Sequence, residues 1–434
     1  MDKMADVLGR AGAWCGQNKY LSAIKNAFQN FMPLTIAGAI GVLWCNVLVN
    51  DQTGLGLFFK PIMALDFLNP AFQAVNFCTI SCITVGITLG IAQEIGVWNM
   101  GAERAGYIPG LVGLAAWLSV TNTSHMVEGA KEAFTGIAGN ELGATGLFTG
   151  MIIGVLSVEL FCFFEKQDAL KIKMPEQVPP GVARAFEVLV PATITLIITA
   201  CIGSACYNLT GLYLNDVIKN GIQGPLGAVG ATIPGVMIIY LVIMLFWLVG
   251  IHGNNMLSAV KEALFTPLAL ENVEKFNKGE KPTNIINMYA LQMWGEFGGS
   301  GVTIGLVIAI MIFGKREDNK AIATLSLVPG LFNINETVTF GIPMVLNPIL
   351  GIPFVVAPLV TIIIGYVLTV IGFCPVACLT EPWTTPPIVF GFLACGANVM
   401  GAVTQAILIV VSTVIYVPFL IAYEKYQNKQ AAEA

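Results

Sequence analysis

The stretch Asn333-Ile-Asn-Glu-Thr-Val-Thr-Phe-Gly-Ile-Pro343 contains Glu336, the single charged side chain among residues 321–380. A charged side chain at the centre of a lipid bilayer costs at least about 2.5–3.5 kcal/mol. It is retained there when it faces a cavity or a partner, so it marks a functional site by default. We predict such a role for Glu336; the alternative is a glutamate that snorkels or forms a structural pair. The neighbouring Asn, Thr, Gly and Pro indicate irregular, polar backbone.

The chain as a whole has the composition of a membrane protein. Of its 434 residues, 56% are hydrophobic and 11% are charged, and the mean hydropathy is +0.77. Soluble domains carry about 25% charged residues. Many uncharged stretches approach the roughly 20 residues that cross the hydrocarbon. We therefore predict an all-α polytopic membrane protein, with residues 1–20 as an amphipathic surface helix and no cleavable signal peptide.

Basic residues orient the predicted spans. They cluster at 19–25, 166–184, 315–320 and 425–429, and the positive-inside rule places all four clusters, and both termini, in the cytoplasm. The number of crossings between clusters fits this orientation. The predicted spans are 28–49, 74–92, 105–122, 143–164, 186–206, 231–250, 347–371 and 400–423.

One segment leaves its crossing pattern open. Either 254–270 crosses outward and 285–314 crosses back, or 285–314 folds on itself at Gly298-Gly-Ser-Gly301. Lys261 and Glu262 argue against an ordinary lipid-facing helix at 254–270. The sequence alone does not choose between the two patterns.

Two further apolar segments, 325–343 and 383–397, are interrupted by proline and glycine. Proline bends a helix, and non-helical backbone at membrane depth is tolerated only inside protein or along a water-filled cavity. We predict re-entrant segments of the kind that builds transporter substrate sites. The functional site is therefore assigned to 207–434, and 21–206 to scaffold or oligomer contact. The hydrophilic residues 271–284 are predicted to form an exposed loop.

Candidate chemistry centres on His252, which lies in a stretch, 220–260, without Asp, Glu, Lys or Arg. Such a histidine either serves a functional site or bonds a carbonyl of a neighbouring helix. Glu296 and Glu381 each adjoin a predicted break and are further candidates. Glu159 lies near the end of the fourth span, where a structural cap or ion pair is a better interpretation than catalysis.

Three tryptophans, Trp247, Trp294 and Trp383, also lie beside predicted breaks. An aromatic face offers apolar area to the C–H face of a sugar ring, so we expect at least one of them to stack on a sugar. The alternative for each is ordinary packing or an interfacial belt.

The sequence gives little support for a metal or nucleotide site. None of the ten cysteines forms a CxxC pair, and we predict that they act as small hydrophobic residues. The Gly298-Gly-Ser-Gly301 motif lacks the lysine and the preceding strand of a P-loop. No cofactor is expected.

Several motifs follow one another in a specific order: Gly250-Ile-His-Gly253, Gly298-Gly-Ser-Gly301, Asn333-Ile-Asn-Glu336 with Phe340-Gly-Ile-Pro343, Asn347-Pro348 and Pro382-Trp-Thr-Thr-Pro386. Together they closely resemble the lactose/cellobiose/diacetylchitobiose family of phosphotransferase-system enzyme IIC components. The likeness covers essentially the whole chain, and within the family it is closest to the diacetylchitobiose transporters.

The resemblance implies a homodimeric permease of the bacterial inner membrane with ten transmembrane helices and two re-entrant hairpins. It implies that a β-linked disaccharide, diacetylchitobiose or cellobiose, moves inward while its 6-hydroxyl is phosphorylated. The phosphoryl group would come from the phosphocysteine of IIB, a separate chain recharged by IIA and HPr. This chain would carry the sugar site and not the phosphocysteine. The expected partners are therefore the sugar, phosphorylated IIB, a second copy of the chain and the lipid bilayer, and no nucleic acid.

The family's sugar-site histidine and glutamate correspond to His252 and Glu336, which implies a catalytic role for both. Glu336 is expected to be buried and to accept the hydroxyl proton, while His252 holds that hydroxyl or stabilises the phosphoryl group. The reverse assignment fits the sequence equally well. The residues expected to contact the sugar are Asn140, Asn254, Trp294, Gly299, Asn335, Trp383 and Thr384.

Two other functions fit parts of the pattern. A proton-coupled secondary symporter would use Glu336 as proton carrier and His252 as relay. An intramembrane hydrolase would use the carboxylates or His252, although no nucleophile motif supports it. The symporter is the main alternative to group translocation.

Overall fold

The structure, a computed structural model, describes residues 10, 13–14, 17–51, 55–125, 134–175, 177–342 and 344–433. Most of the predicted surface helix at 1–20 lies outside these residues. Pro343 also lies outside them. The described chain is mostly helical. Within it the exception is a two-stranded antiparallel hairpin of Ser124–His125 and Phe134–Thr135.

The first part of the chain forms ten α-helices, together with short 3-10 and π-helical turns. The π-helical turns are Trp44–Leu48 and Lys219–Gln223, and the 3-10 turns are Leu55–Leu57, Lys60–Leu68, Ile80–Cys82 and Asp168–Leu170. The α-helices are α1 (Lys19–Leu43), α2 (Asn69–Cys78), α3 (Ile83–Met100), α4 (Ala102–Ala105), α5 (Ile108–Val120), α6 (Gly139–Leu142), α7 (Ala144–Glu165), α8 (Pro180–Thr210), α9 (Leu214–Ile218) and α10 (Gly224–Gly230).

The second part alternates long helices with short ones and with non-helical segments. Its helices are α11 (Ile233–Leu248), α12 (Gly253–Met256), α13 (Ser258–Asn277), α14 (Met288–Gly295), α15 (Ile304–Phe313), α16 (Glu317–Leu331), α17 (Glu336–Gly341), α18 (Gly351–Val370), α19 (Val389–Ala394) and α20 (Val399–Glu433).

Among the described residues, six helical stretches are long and apolar enough to cross a membrane. They are Lys19–Leu48, Lys60–Met100, Ala144–Glu165, Pro180–Thr210, Gly351–Val370 and Val399–Glu433. The pair formed by α14 and α15, bent by 60°, makes a seventh candidate, and α5 and α11 are shorter apolar helices. Each predicted span overlaps one of these helices.

The chain divides into two compact units, one of which comprises Gln17–Gly38 and Ala74–Ala228. In this unit α3, α5 and α7 pack on one another, and α8 packs on α5 and α7. Glycine allows the close approach: a Cβ added to Gly113 would lie 2.3 Å from the Cβ of Ala92. Small residues at helix contacts are typical of membrane proteins. The helices of this unit are therefore built for regular packing.

The predicted structural role of Glu159 is confirmed, because its carboxylate lies 2.6 Å from the ammonium of Lys19. A second, larger ion cluster occupies the end of α7 in the same unit. The buried carboxylate of Glu165 accepts hydrogen bonds from Arg104 and Arg184, each at 2.9 Å. Both carboxylates have charged partners in the fold.

The other unit comprises Ala39–Gln73 and Val229–Ala434, together with what is described of Met1–Gly16. In it α20 packs on α15, α18 and α19, and α11 packs on α18. The break predicted at Gly298-Gly-Ser-Gly301 is confirmed, since Gly298, Gly299 and Gly301 have φ of +70°, +86° and +79°. Left-handed backbone of this kind favours glycine.

The predicted interruptions at 325–343 and 383–397 also occur. The segment around 332–335 separates α16 from α17, and these two helices pack against each other. Between α18 and α19 the chain from 371 to 388 forms turns and extended backbone. These interruptions bring polar backbone and side chains into otherwise apolar stretches of the chain.

The prediction that 271–284 is an exposed loop is wrong in part. Helix α13 continues to Asn277, and Asn272 is fully buried. The side-chain amide of Asn272 donates to the carbonyls of Asn284 and Ala377, and its oxygen accepts from two backbone N–H groups. Asn272 therefore connects the loop after α13 to the rest of the fold by hydrogen bonds. The hydrophilic composition of 271–284 did not indicate this contact.

Candidate functional site

His252 lies in the turn between α11 and α12, where it caps the short helix α12. Its Nδ1 accepts a hydrogen bond from the backbone N–H of Asn255 at 3.2 Å, and its ring lies 4.5 Å from the ring of Trp247. In the neutral imidazole one nitrogen accepts and the other donates. The cap therefore assigns the proton to Nε2, which faces Glu336.

Glu336 is the first residue of α17, and its Oε1 lies 4.0 Å from Nε2 of His252. This distance is too long for a direct hydrogen bond. The His252 side chain is 38% exposed and that of Glu336 is 49% exposed. The expectation that the protein buries Glu336 is therefore wrong: the carboxylate lies open, beside an imidazole, in a position that a ligand can reach.

Asn254 and Asn335 hold the segments of His252 and Glu336 on a common support, Ser300. The amide of Asn254 donates to Oγ of Ser300 at 2.9 Å, and the amide of Asn335 donates to the carbonyl of Ser300 at 2.8 Å. Asn335 is only 4% exposed. In this conformation the two asparagines, both expected to contact sugar, use their amide donors to hold the segments of His252 and Glu336.

Asn333 joins three interrupted segments, although it is not among the site residues predicted from the sequence. Its Oδ1 accepts from the N–H of Gly298 at 2.6 Å, while its amide donates to the carbonyls of Trp383 at 2.5 Å and Thr385 at 3.1 Å. Its φ is +61°, a conformation that asparagine tolerates better than most residues. The sequence signal that could have identified Asn333 is its place in a motif that also contains glycine and proline.

Gly299 lies against Asn335 in the same support. A Cβ added to Gly299 would lie 2.7 Å from the Cβ of Asn335 and 2.9 Å from the carbonyl oxygen of Asn333. The glycine therefore permits close approach of two loops. Its expected contact with sugar stays a prediction.

The tryptophans expected to stack on sugar differ in accessibility. Trp383 is 46% exposed, and its neighbour Thr384 is partly buried in the same loop. Trp294 is fully buried against Gly365, so the expectation that it offers a face to sugar is wrong for this conformation. Trp247 is buried beside His252. Trp383 is the tryptophan of the three that a sugar can reach.

Asn140 lies in α6, in the unit that contains α3, α5 and α7. Its side chain falls outside the part of the chain that the structure describes. Its expected contact with sugar therefore stays a prediction.

A buried ion pair adjoins the Asn254 end of the site, and the sequence did not predict the pairing. Lys261 contacts Oε1 of Glu296, and the same oxygen accepts a hydrogen bond from the hydroxyl of Tyr240 at 2.6 Å. The Lys261 ammonium also lies 3.5 Å from Oδ1 of Asn254. Lys261 is buried, which agrees with the argument against a lipid-facing helix at 254–270.

Glu381, the remaining candidate carboxylate, has a different environment. Its Oε1 is buried and meets no hydrogen-bond partner among the described residues. The described residues contain no group of three or more His, Cys, Asp or Glu side chains that could hold a metal ion. The site is thus an open imidazole and carboxylate, supported by asparagine amides and a buried ion pair.

Known proteins resemble this chain over nearly its whole length. A family model described as "Phosphotransferase system, EIIC" matches residues 25–358. The oligo-beta-mannoside-specific EIIC component of Bacillus subtilis (strain 168) is 32% identical, over 98% of this chain and 94% of that protein. The cellobiose-specific EIIC component of Lactococcus lactis subsp. lactis (strain IL1403) is 30% identical, over 98% of each chain.

A solved structure shares the fold. It is the crystal structure of ChbC, the IIC component from the N,N'-diacetylchitobiose-specific phosphotransferase system. The TM-score is 0.88 at 29% identity, and the match covers 97% of each chain. The two chains are similar from end to end.

Proposed function

Since this chain belongs to the phosphotransferase system EIIC family and is a sugar permease of that system, we propose that it carries a β-linked disaccharide inward while phosphorylated IIB phosphorylates the sugar's 6-hydroxyl. The main support is the pair of His252 and Glu336. They come from two interrupted segments, lie 4.0 Å apart and are both accessible. Phosphoryl transfer depends mostly on positioning and charge stabilisation, and this pair offers positioned acid–base groups for the sugar hydroxyl.

A single sugar hydroxyl fits this pair. Hydrogen bonds to oxygen span about 2.7–3.0 Å, so one hydroxyl oxygen can lie within reach of both side chains. The hydroxyl donates to Glu336 and accepts the Nε2–H of His252. As general base, Glu336 takes the proton while the new P–O bond forms. The reverse assignment, with His252 as base, is the second candidate.

The proposed sugars are diacetylchitobiose first, then cellobiose and lactose. The similarity to ChbC along the whole chain favours the first, and the cellobiose-specific relative supports the second. The exposed Trp383 offers an aromatic face to the apolar side of a sugar ring. Binding measurements with purified protein across these sugars test the order. Tightest binding of an unrelated monosaccharide would contradict it.

The proposed assembly is a homodimer of ten-span subunits with two re-entrant hairpins at 325–343 and 383–397, and with both termini in the cytoplasm. The positions of the apolar helices and the basic clusters support this topology. Reporter fusions at the two ends and the mass of the purified protein in detergent test it. A terminus outside the cytoplasm would reject the proposed topology, and a monomeric mass would reject the proposed homodimer.

The decisive experiment concerns Glu336. Membranes carrying the wild type or Glu336→Gln are supplied with phosphoenolpyruvate, enzyme I, HPr, IIA and IIB, and sugar phosphate is measured. The variant should bind sugar but lose about 10²–10⁴-fold in transfer, the range typical of a missing general base. Glu317→Gln, at an exposed position in the first turn of α16, is the control and should transfer normally. Normal transfer by Glu336→Gln rejects the base assignment.

The same membranes separate group translocation from a symporter. The proposal expects sugar phosphate that depends on phosphoenolpyruvate and is insensitive to a protonophore. Uptake of unmodified sugar that collapses with a protonophore and ignores phosphoenolpyruvate favours Glu336 as a proton carrier instead.

A further inference from the structure

The segments that build the site are rich in negative charge and poor in positive charge. The segments 250–262, 294–303, 333–341 and 381–388 contain four glutamates, and Lys261 is the single lysine or arginine among them. A phosphoryl group brings further negative charge into the same region. Enzymes that transfer phosphoryl groups compensate this charge with lysine, arginine or metal ions. Lys261 is the residue of these segments that can do so.

Lys261 is buried, but a short chain of contacts leads from it to the reactive pair. Its ammonium lies 3.5 Å from Oδ1 of Asn254, two residues after His252. Asn254 in turn donates to Ser300, whose carbonyl accepts from Asn335, the residue before Glu336. Lys261 thus contacts the framework that holds both reactive side chains.

The carboxylate partner of Lys261 does not require the lysine for its own hydrogen bonding. Oε1 of Glu296 also accepts the hydroxyl of Tyr240 at 2.6 Å. The lysine in turn lies 5.5 Å from the centre of the Tyr240 ring, a distance that favours a cation. The surroundings therefore stabilise a positive charge on Lys261 through more than one partner.

We propose that Lys261 is the charge-compensating residue of the phosphoryl transfer. This inference rests on the function proposed above. In that step the P–S bond of the phosphocysteine breaks and its electron pair stays on the sulfur of IIB, while a P–O bond forms to the sugar. The hydroxyl proton passes to Glu336 or His252. Lys261 stabilises the negative charge of the phosphoryl group in flight by its field and by orienting Asn254, and so acts as a positioning residue.

The alternative is that Lys261 and Glu296 form a purely structural ion pair. Replacing both members of a buried pair with neutral residues of similar size is often neutral for stability, whereas removing one member is costly. A double substitution therefore removes the charge without leaving an unpaired group. This property separates a structural role from a role in the reaction.

The test compares Lys261→Met/Glu296→Gln with the wild type, with sugar affinity and transfer rate measured on the same purified protein. Rates are expressed per sugar-binding site, so that unfolded protein does not mimic slow transfer. The double variant should bind sugar within about threefold of the wild type and transfer at least about 10²-fold more slowly, the effect of losing one transition-state stabilising group. The matched control is Lys278→Met/Glu274→Gln, an exposed pair on α13, which should change neither quantity.

Lys261→Arg provides the second variant because it keeps the charge. It should transfer the phosphoryl group at least about tenfold faster than the double variant. The inference is overturned by wild-type transfer in the double variant, or by equal rates for Lys261→Arg and the double variant. If the wild type itself forms no sugar phosphate from phosphoenolpyruvate, the proposed function fails, and the inference fails with it.

Discussion

Two regions of the molecule satisfy their backbone hydrogen bonds in different ways. One is the unit of Gln17–Gly38 and Ala74–Ala228, and the other consists of the segments around His252 and Glu336. In the first, long helices such as α7 satisfy their own backbone, and Gly113 allows close packing. In the second, α14 ends shortly before Gly298 and α16 ends shortly before Asn333, and the side-chain amide of Asn333 binds backbone groups of the interrupted segments. Irregular backbone in an apolar chain needs such partners. The comparison teaches that hydrogen bonds connect the breaks to one another, and breaks connected in this way can position functional groups.

Among the substitutions that test this comparison, Asn333→Asp should have the largest effect on sugar affinity. The substitution keeps an oxygen for the Gly298 N–H but directs a second oxygen at the carbonyls of Trp383 and Thr385. Losing these two hydrogen bonds and facing oxygen against oxygen should cost about 1–3 kcal/mol, so sugar affinity should fall by roughly 5–150-fold. Titration of the purified protein with sugar measures it.

Asn333→Gly is the control, because glycine adopts the positive φ of this position without strain. It removes all three hydrogen bonds but introduces no repulsion, and we expect it to lose less affinity than the aspartate variant. Wild-type sugar affinity in Asn333→Asp would show that sugar binding does not depend on the hydrogen bonds that Asn333 makes to the three segments.

A smaller effect is expected from adding one methyl group in each region. In Gly301→Ala the new Cβ would lie 2.4 Å from the Phe354 ring at a φ of +79°, and in Gly113→Ala it would lie 2.3 Å from the Cβ of Ala92. Overpacking typically costs about 1–3 kcal/mol, so both variants should unfold at lower temperature in detergent. Sugar affinity should fall only in Gly301→Ala.

The paired outcome is what tests the comparison. Equal loss of sugar affinity in Gly301→Ala and Gly113→Ala would mean that the interrupted segments are not specifically responsible for binding. Unchanged affinity in both would mean that the Gly298–Gly301 loop tolerates distortion.

The smallest effect concerns the exposed start of α16. Hydrogen bonds from Arg316 to Asp318, at 2.6–3.3 Å, hold the pKa of the Asp318 carboxyl below its ordinary value. Because the folded pKa is lowered, this contribution to stability is present above the ordinary pKa of about 3.9 and is lost as the pH falls through the lowered value. An exposed pair is worth about 0–1 kcal/mol.

We therefore expect Asp318→Asn to lower the unfolding temperature slightly at pH 7 and to match the wild type once the pH lies below the lowered pKa. Thermal unfolding across this pH range measures the difference. A gap between the two proteins that widens on acidification would contradict the assigned direction.

Much of the framework could be predicted from local sequence. Apolar length located the helices, and Gly298-Gly-Ser-Gly301 located the break between α14 and α15, because glycine and proline act on their own backbone. His252 and Glu336 were found because each is conspicuous in an uncharged stretch. These signals depend on neighbours along the chain.

The remainder depends on residues that are distant along the chain. Lys261 pairs with Glu296, 35 residues away, and Asn333 bonds Trp383, 50 residues away. Burial of Trp294 and of Asn272 follows from packing that hydropathy does not encode. Periodicity and composition carry no information about such pairings, so these predictions were missing or wrong.

The sequence by itself determined that this is a mostly helical membrane chain, where its helices are interrupted, and which imidazole and carboxylate are exceptional, because each follows from the cost of charge and open backbone in lipid. The tertiary structure decided that the two groups lie 4.0 Å apart, that both are accessible, and that asparagine amides hold them there. The physical reason is that hydrogen bonds and ion pairs join segments only after the chain has folded.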